Sequence, residues 1–375
     1  MELKTDFQTF LSSIRPTDTQ KKDLQAGHKL LRERLNAFEG LKDIIVSDFL
    51  QGSYRRATAV RPKGETRSDV DIIVVTNLSE EDYTPAAAMA LFEPFLDKHY
   101  KGKWRPQGRS FGIELSAVEL DLVLTSAPSE AEIQLLTSES VRSSDDIELA
   151  RDWRLHPLWL GLEHRTQSNA ALLLKEAASQ PEWKLHPLRI PDRNANQWES
   201  THPLEQIRWT RDKNSSTNTH YVNVVKAIKW WRLEKHEDPK HPKGFPLERL
   251  IGECCPDNIG SVAQGITETL EAIVSNYVWH VSVGSKPTLP DYGVVTHDVF
   301  ARITPEDFKK FYDQVAAAAI LARQALDSQD RTESGNLWRE LLGSKFPEPP
   351  NNGGSGKNAF TPPSAPAVPG SGRFA

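Results

Sequence analysis

A Gly-Ser turn followed by an acid pair at the head of an apolar strand constrains this chain more than any other feature. In Ser68-Asp-Val-Asp-Ile-Ile-Val-Val75, the β-branched run of Val70 and Ile72 to Val75 predicts a buried strand. Side chains alternate faces along a strand, so Asp69 and Asp71 project from the same side at its start. Two carboxylates there repel unless cations sit between them. Hard divalent cations such as Mg²⁺ prefer oxygen ligands and are held by one or two carboxylates plus substrate phosphates. Asp-x-Asp therefore reads as half of a two-metal site.

A third carboxylate is available on a later strand. In Ser116-Ala-Val-Glu-Leu-Asp-Leu-Val-Leu-Thr125, Val118, Leu120, Leu122 and Leu124 fill one face, and Glu119, Asp121 and Val123 the other. We assign Asp121 as the third ligand. Upstream, Gln51-Gly52-Ser53 supplies a phosphate-holding turn: glycine lets the backbone approach a ligand closely, and the serine hydroxyl and amides donate to phosphate oxygens. Taken singly, a Gly-Ser pair is most often only a turn, and Asp-x-Asp equally describes a solvated strand end. Their order along the chain carries the argument.

Gly52-Ser53, then Asp69-x-Asp71, then Asp121 on a later strand resembles the polymerase-β nucleotidyltransferase superfamily, and within it the bacterial cGAS/DncV-like nucleotidyltransferases, or CD-NTases. The resemblance implies an α+β, bilobal fold, with a polymerase-β-like core of small mixed sheet and flanking helices beside a helical substrate-binding domain. Its expected divisions are N-terminal helices packing on the core over 1–40, the core over 41–190, the helical domain over 191–347 and a tail over 348–375. It also implies two Mg²⁺ ions, with Mn²⁺ as a substitute, held by Asp69, Asp71 and Asp121, and nucleotide contacts from Gln51, Gly52 and Ser53.

The segment Tyr221-Val-Asn-Val-Val-Lys-Ala-Ile-Lys-Trp-Trp-Arg232 has an apolar helical face of Val224, Val225, Ile228 and Trp231. Lys226 and Lys229 lie three apart, and on pattern alone they solvate the outer side of a core helix. The resemblance instead implies a Lys-x-x-Lys-aromatic motif whose first lysine, Lys226, reaches the nucleotide triphosphate, with Lys229 as the fallback. Lys243-Gly-Phe-Pro-Leu-Glu-Arg-Leu250 is similar to the family's Ser-Tyr-x-Leu-Glu segment, with Gly244 where a phosphate-contacting serine is usual. Pro290-Asp-Tyr-Gly and Asn336 to Pro347 resemble the family's closing segment.

The remaining features set limits. A chain of 375 residues with 38% hydrophobic content is ample for a core and suggests two domains. A net charge of −5 argues against a constitutive nucleic-acid binder and leaves small anionic substrates compatible. Cys254 and Cys255 are adjacent, which excludes an ordinary disulfide framework. The chain has neither a membrane-spanning apolar run nor a signal-peptide pattern, so no membrane association and a cytoplasmic location are expected. Residues 127–217 resist assignment. From Glu348 the composition collapses to Pro, Gly, Ser and Asn and predicts a disordered tail.

The resemblance implies a synthase that joins ATP and GTP into a cyclic oligonucleotide second messenger for anti-phage defence. Cyclic AMP-AMP-GMP is the expected product. The alternatives are a cyclic dinucleotide, or single nucleotide transfer to RNA or protein. Implied partners are a HORMA-like protein or an RNA ligand as regulator, and a ubiquitin-transfer-like enzyme that conjugates the chain through Ala375.

Overall fold

The computed structural model describes residues 1–64, 66–127, 187–236 and 241–350. Most of the unassigned stretch 127–217, nearly all of the tail expected over 348–375 and the conjugation expected at Ala375 lie outside them. In chain order the elements are α1 (Lys4–Ile14), α2 (Asp18–Asn36), β1 (Ile45–Gln51), α3 (Gly52–Arg55), β2 (Ser68–Thr76), α4 (Pro85–Ala90), α5 (Glu93–Tyr100), β3 (Trp104–Pro106), β4 (Ser110–Glu114) and β5 (Val118–Ser126). There follow β6 (Leu188–Asp192), β7 (Gln197–Thr201), α6 (Pro203–Ser216), α7 (Tyr221–Lys235), α8 (Gly244–Cys254), α9 (Val262–Ser282), α10 (Pro305–Asp327) and α11 (Arg331–Leu342). None of these helices is long and apolar enough to cross a membrane.

Local chemistry explains the breaks. Arg15-Pro16 ends α1, and Thr17 opens α2 with a capping box in which its hydroxyl accepts from the Gln20 amide. The helical stretch after β2 is divided at Leu91-Phe92 into α4 and α5, because Pro94 in the first turn of α5 has no amide to continue the ladder.

The strands form one mixed sheet in the order β1-β2-β5-β4-β3, in which β2 and β5 are parallel and the other pairs antiparallel. Val70, Ile72 and Val74 of β2 and Val118, Leu120, Leu122 and Leu124 of β5 are buried in one core with Leu24, Leu31 and Leu35 of α2 and Phe95 of α5. Burying each such side chain contributes about 1.5–3 kcal/mol, and a one-residue slip would expose the whole set. The register is thereby held, and the acids stay on the opposite face.

The hairpin β6-β7 joins the sheet through Ser126 and Arg189, so the sheet runs on past residue 190 to Thr201. Of the two N-terminal helices only α2 packs on the sheet. The apolar stripe Phe7, Phe10, Leu11 and Ile14 of α1 is buried in the helical half instead, because aromatic partners await it there: Phe7 meets Trp338 at 4.9 Å and Phe346 at 5.1 Å, both edge to face. The helix α7 runs through this second core and is buried on nearly every side. An amphipathic reading of α7 therefore fails.

Candidate active site

Strand register assembles the acids. Asp71 lies directly beside Asp121 across the parallel pair β2-β5, with Asp69 two residues before it on the same face. One oxygen from each of the three carboxylates lies within 4.8 Å of the others. The next carboxylates outward, Glu114 and Glu119, are neutralised by Arg105, and Glu114 also by Arg67. Among the described residues the triad itself forms no ion pair; Asp121 accepts only a hydrogen bond from Gln107 Nε2, at 3.2 Å.

Crowded, uncompensated carboxylates hold protons. Burial, then the charges of Asp71 and Asp121, push the Asp69 carboxyl up to about 8, although the residue is exposed at the start of β2. Burial, then Asp71 and Glu119, bring Asp121 up to about 6. Burial also raises Asp71, against the opposing charge of Arg56. Three crowded oxygen donors that form no ion pair among the described residues fit a hard divalent cation.

The Gly-Ser turn sits on this cluster. Gln51 at the end of β1 pairs with Asp71, and Gly52 turns away at φ 75°. A Cβ on Gly52 would stand 2.6 Å from Asp71 Cγ and closer still to its carboxylate oxygen, so both the turn and the carboxylate require glycine here. The turn is braced internally: the Ser53 carbonyl accepts from the amides of Thr58 at 2.9 Å and Ala59 at 3.1 Å. The Gln51 side chain donates to Gln206 Oε1 at 2.7 Å, and Gln206 donates to Asp291 at 3.0 Å. Gln51 is thereby tied to the helical half.

A cleft of about 590 Å³ opens between the halves, with Ser53 and Asp69 at its edge. Arg61, Lys63 and Arg67 line it from the sheet side, and Lys229, Arg232 and Lys243 from the helical side. So cationic a lining suits a polyanion.

The two lysines part company. Lys229 lines the cleft, donating to Glu248 Oε1 at 2.9 Å and to the Thr58 carbonyl at 3.1 Å. Lys226, the expected first contact, is only 3% exposed and does not line the cleft. Burial, then the charges of Arg15, Lys229 and Lys21, hold its ammonium well below the usual lysine range. The two expected contacts thus differ in place: α7 turns Lys226 into its packed side and Lys229 toward the cleft. Gly244 lines the cleft at φ 48° with open space where a side chain would stand.

Arg56, Thr58, Glu248 and Gln107 escaped the sequence reading. Arg56 and Thr58 lie within the Gly-Ser stretch itself, and Glu248 interrupts the apolar run of Leu247, Leu250 and Ile251, which is a legible signal. Gln107 carries none. Its orientation is set by Ser110 Oγ, which donates to Gln107 Oε1 at 2.8 Å and leaves Nε2 for Asp121. Replacing it by leucine is expected to weaken Mn²⁺ affinity about tenfold, as loss of an outer partner of a metal ligand commonly does. Titration of bound Mn²⁺ by electron paramagnetic resonance measures this, beside an unchanged melting curve.

Comparison with known proteins agrees with this geometry. A family model described as the Second Messenger Oligonucleotide or Dinucleotide Synthetase domain matches residues 1–127. Over 383 aligned positions that span the whole of both chains, this protein is 52% identical to the cyclic AMP-AMP-GMP synthase of Enterobacter hormaechei subsp. hoffmannii. The chain belongs to the cGAS/DncV-like nucleotidyltransferases.

Solved nucleotidyltransferases of this group share the fold at low identity. CdnC of Escherichia coli MS115-1, in complex with a HORMA protein, superposes with a TM-score of 0.60 at 14% identity, covering 92% of this chain and 99% of CdnC. DncV of Vibrio cholerae, a cyclic AMP-GMP synthase in complex with the linear intermediate pppA(3′,5′)pG, gives 0.59 at 12% identity, covering 91% of this chain and 96% of DncV. In this nucleotidyltransferase the mixed sheet is accordingly a polymerase-β-like core, and the helices after β7 form the second half of the fold.

Proposed function

We propose that this nucleotidyltransferase makes cyclic AMP-AMP-GMP from ATP and GTP in the cytoplasm, as a second messenger of anti-phage defence. The observation that carries the chemistry is the juxtaposition of Asp69, Asp71 and Asp121 under the Gly52-Ser53 turn. The product rests on the full-length 52% identity to a synthase of that name.

Phosphoryl-type transfer asks for positioning and charge stabilisation more than covalent help. Asp69, Asp71 and Asp121 would hold two Mg²⁺ ions, which when bound polarise phosphoryl oxygens and lower the pKa of the attacking hydroxyl. Ser53 and the amides of its turn donate to triphosphate oxygens, and Lys229 supplies charge from the opposite wall. Arg61, Lys63, Arg67 and Lys243 favour entry of the polyanion. A ribose hydroxyl oxygen of one nucleotide bonds to the α-phosphorus of the next, the bond to pyrophosphate breaks, and a final closure onto the chain's own end makes the ring.

Regulation by a HORMA-like protein belongs to the same proposal and is supported by the complex of CdnC. Conjugation through Ala375 by a ubiquitin-transfer-like enzyme is carried over from the family resemblance, and the Pro-, Gly- and Ser-rich composition of residues 348–375 is compatible with it.

Purified protein incubated with the four NTPs and Mg²⁺ or Mn²⁺, then with phosphatase, is expected to yield a resistant product whose mass equals two adenylates and one guanylate less three waters. An Asp69→Ala/Asp71→Ala control is expected to yield none. A cyclic dinucleotide mass would overturn the product assignment, and label transferred to added RNA or protein without a cyclic species would overturn the cyclase itself.

A further inference from the structure

Glu248 is 4% exposed and sits on α8, in the helical half, yet its carboxylate spans both halves of the fold. Its Oε2 accepts from Thr58 Oγ1 at 2.9 Å and Arg56 Nε at 3.2 Å, and its Oε1 from Lys229 Nζ at 2.9 Å. Tyr221 OH donates to the Glu248 carbonyl at 3.1 Å, which pins the helix that carries it.

The sheet-side partners belong to the Gly-Ser turn. The Arg56 amide bonds to the Gly52 carbonyl at 3.0 Å and the Thr58 amide to that of Ser53 at 2.9 Å, so residues 52–58 move as one piece. Between them Ala57 stands at φ 56°. A non-glycine residue there is strained unless its surroundings hold it. Its own amide donates to the Tyr54 carbonyl at 3.2 Å, and the residues on either side of it, Arg56 and Thr58, are clasped on Glu248.

We propose that Glu248 is a positioning residue for nucleotide binding: it fixes Lys229 and the Ser53 turn in one frame, so that the two walls of the cleft grip a triphosphate at a set spacing. The proposal rests on the reading of Lys229 and Ser53 as triphosphate contacts. Glu248 itself does not line the cleft. With the carboxylate charge removed, Lys229 is left with the Thr58 carbonyl and a neutral acceptor to aim it, while Arg56 loses its buried counter-ion.

Grip by Lys229 is present in ground and transition states alike, so its loss falls on KM more than on kcat. Glu248→Gln is expected to raise the KM for ATP about tenfold or more, as for a lost hydrogen bond to a charged group, with kcat changed less than about threefold. In a Lys229→Met background the same substitution is expected to change KM less than about twofold, since the lysine it positions is absent. Thr58→Val removes one anchor without uncovering a charge. It is expected to raise KM about threefold, again only when Lys229 is present. Binding of a non-hydrolysable ATP analogue, measured calorimetrically with Mg²⁺, gives a second readout.

Equal KM shifts with and without Lys229, or an unchanged KM in folded Glu248→Gln or Thr58→Val, would overturn the role of Glu248. Should Glu248→Gln melt below the assay temperature, Thr58→Val decides. Failure of the unmodified protein to bind the analogue would overturn the nucleotide site itself, and the role of Glu248 with it.

Discussion

Gly52→Ala is expected to lower product formation by at least about a hundredfold, the scale set by small misplacements of catalytic groups. Two separate physical effects act there. The left-handed backbone at φ 75° penalises any side chain by about 1–2 kcal/mol, and the new methyl would occupy the space of the Asp71 carboxylate. Gly102→Ala separates them: Gly102 has φ 72°, and nothing lies within 4 Å of the place its methyl would take. Both variants should lose melting temperature from backbone strain, Gly52→Ala the more because its methyl must also displace the Asp71 carboxylate, and only Gly52→Ala should lose activity. Initial rates of pyrophosphate release beside thermal melts measure the two effects, and equal losses of activity would refute the steric account.

The second large effect is expected at Asp69. Asp69→Asn removes one of the three carboxylates proposed to hold the cations and should cost about a thousandfold in rate, since a bound cation commonly supplies several kcal/mol of transition-state stabilisation. Without metal, the same substitution should stabilise the fold. The folded Asp69 holds its proton up to about 8, whereas an unfolded aspartate releases it near 4. Between those values the folded state binds more protons than the unfolded one, so stability declines as pH rises from about 4 to about 8. Melting temperatures of metal-free protein should therefore show Asp69→Asn above wild type by a margin that widens from pH 5 to pH 8 and then levels. Added Mg²⁺ should close that margin by raising wild type. A margin that narrows with rising pH would contradict the assigned cause.

Gly52 and Asp69 both stand out in the amino-acid sequence alone. The lysines show where such legibility stops. Spacing places Lys226 and Lys229 on neighbouring faces of one helix, and resemblance favours the first. The structure buries Lys226 among cations and opens Lys229 to the cleft, because α7 has packing partners on almost all sides. An apolar stripe records one buried face and is silent when a second covers the helix. The first helix behaves likewise: its stripe predicts burial without naming the surface, and Trp338 and Phe346, more than 300 residues away, decide it.

Features with local causes are written in the chain itself. Alternation puts Asp69 and Asp71 on one face and Leu120 and Leu122 on the other, β-branched runs make strands, and glycine at 52 marks a turn that no other residue fits. Only the packed fold settles which strand lies beside which, so that Asp121 meets Asp71, and which lysine faces the cleft. It alone brings Glu248 to residues 56 and 58. Such contacts depend on the free energy of packing between segments far apart in the chain, and no pattern within either segment encodes it.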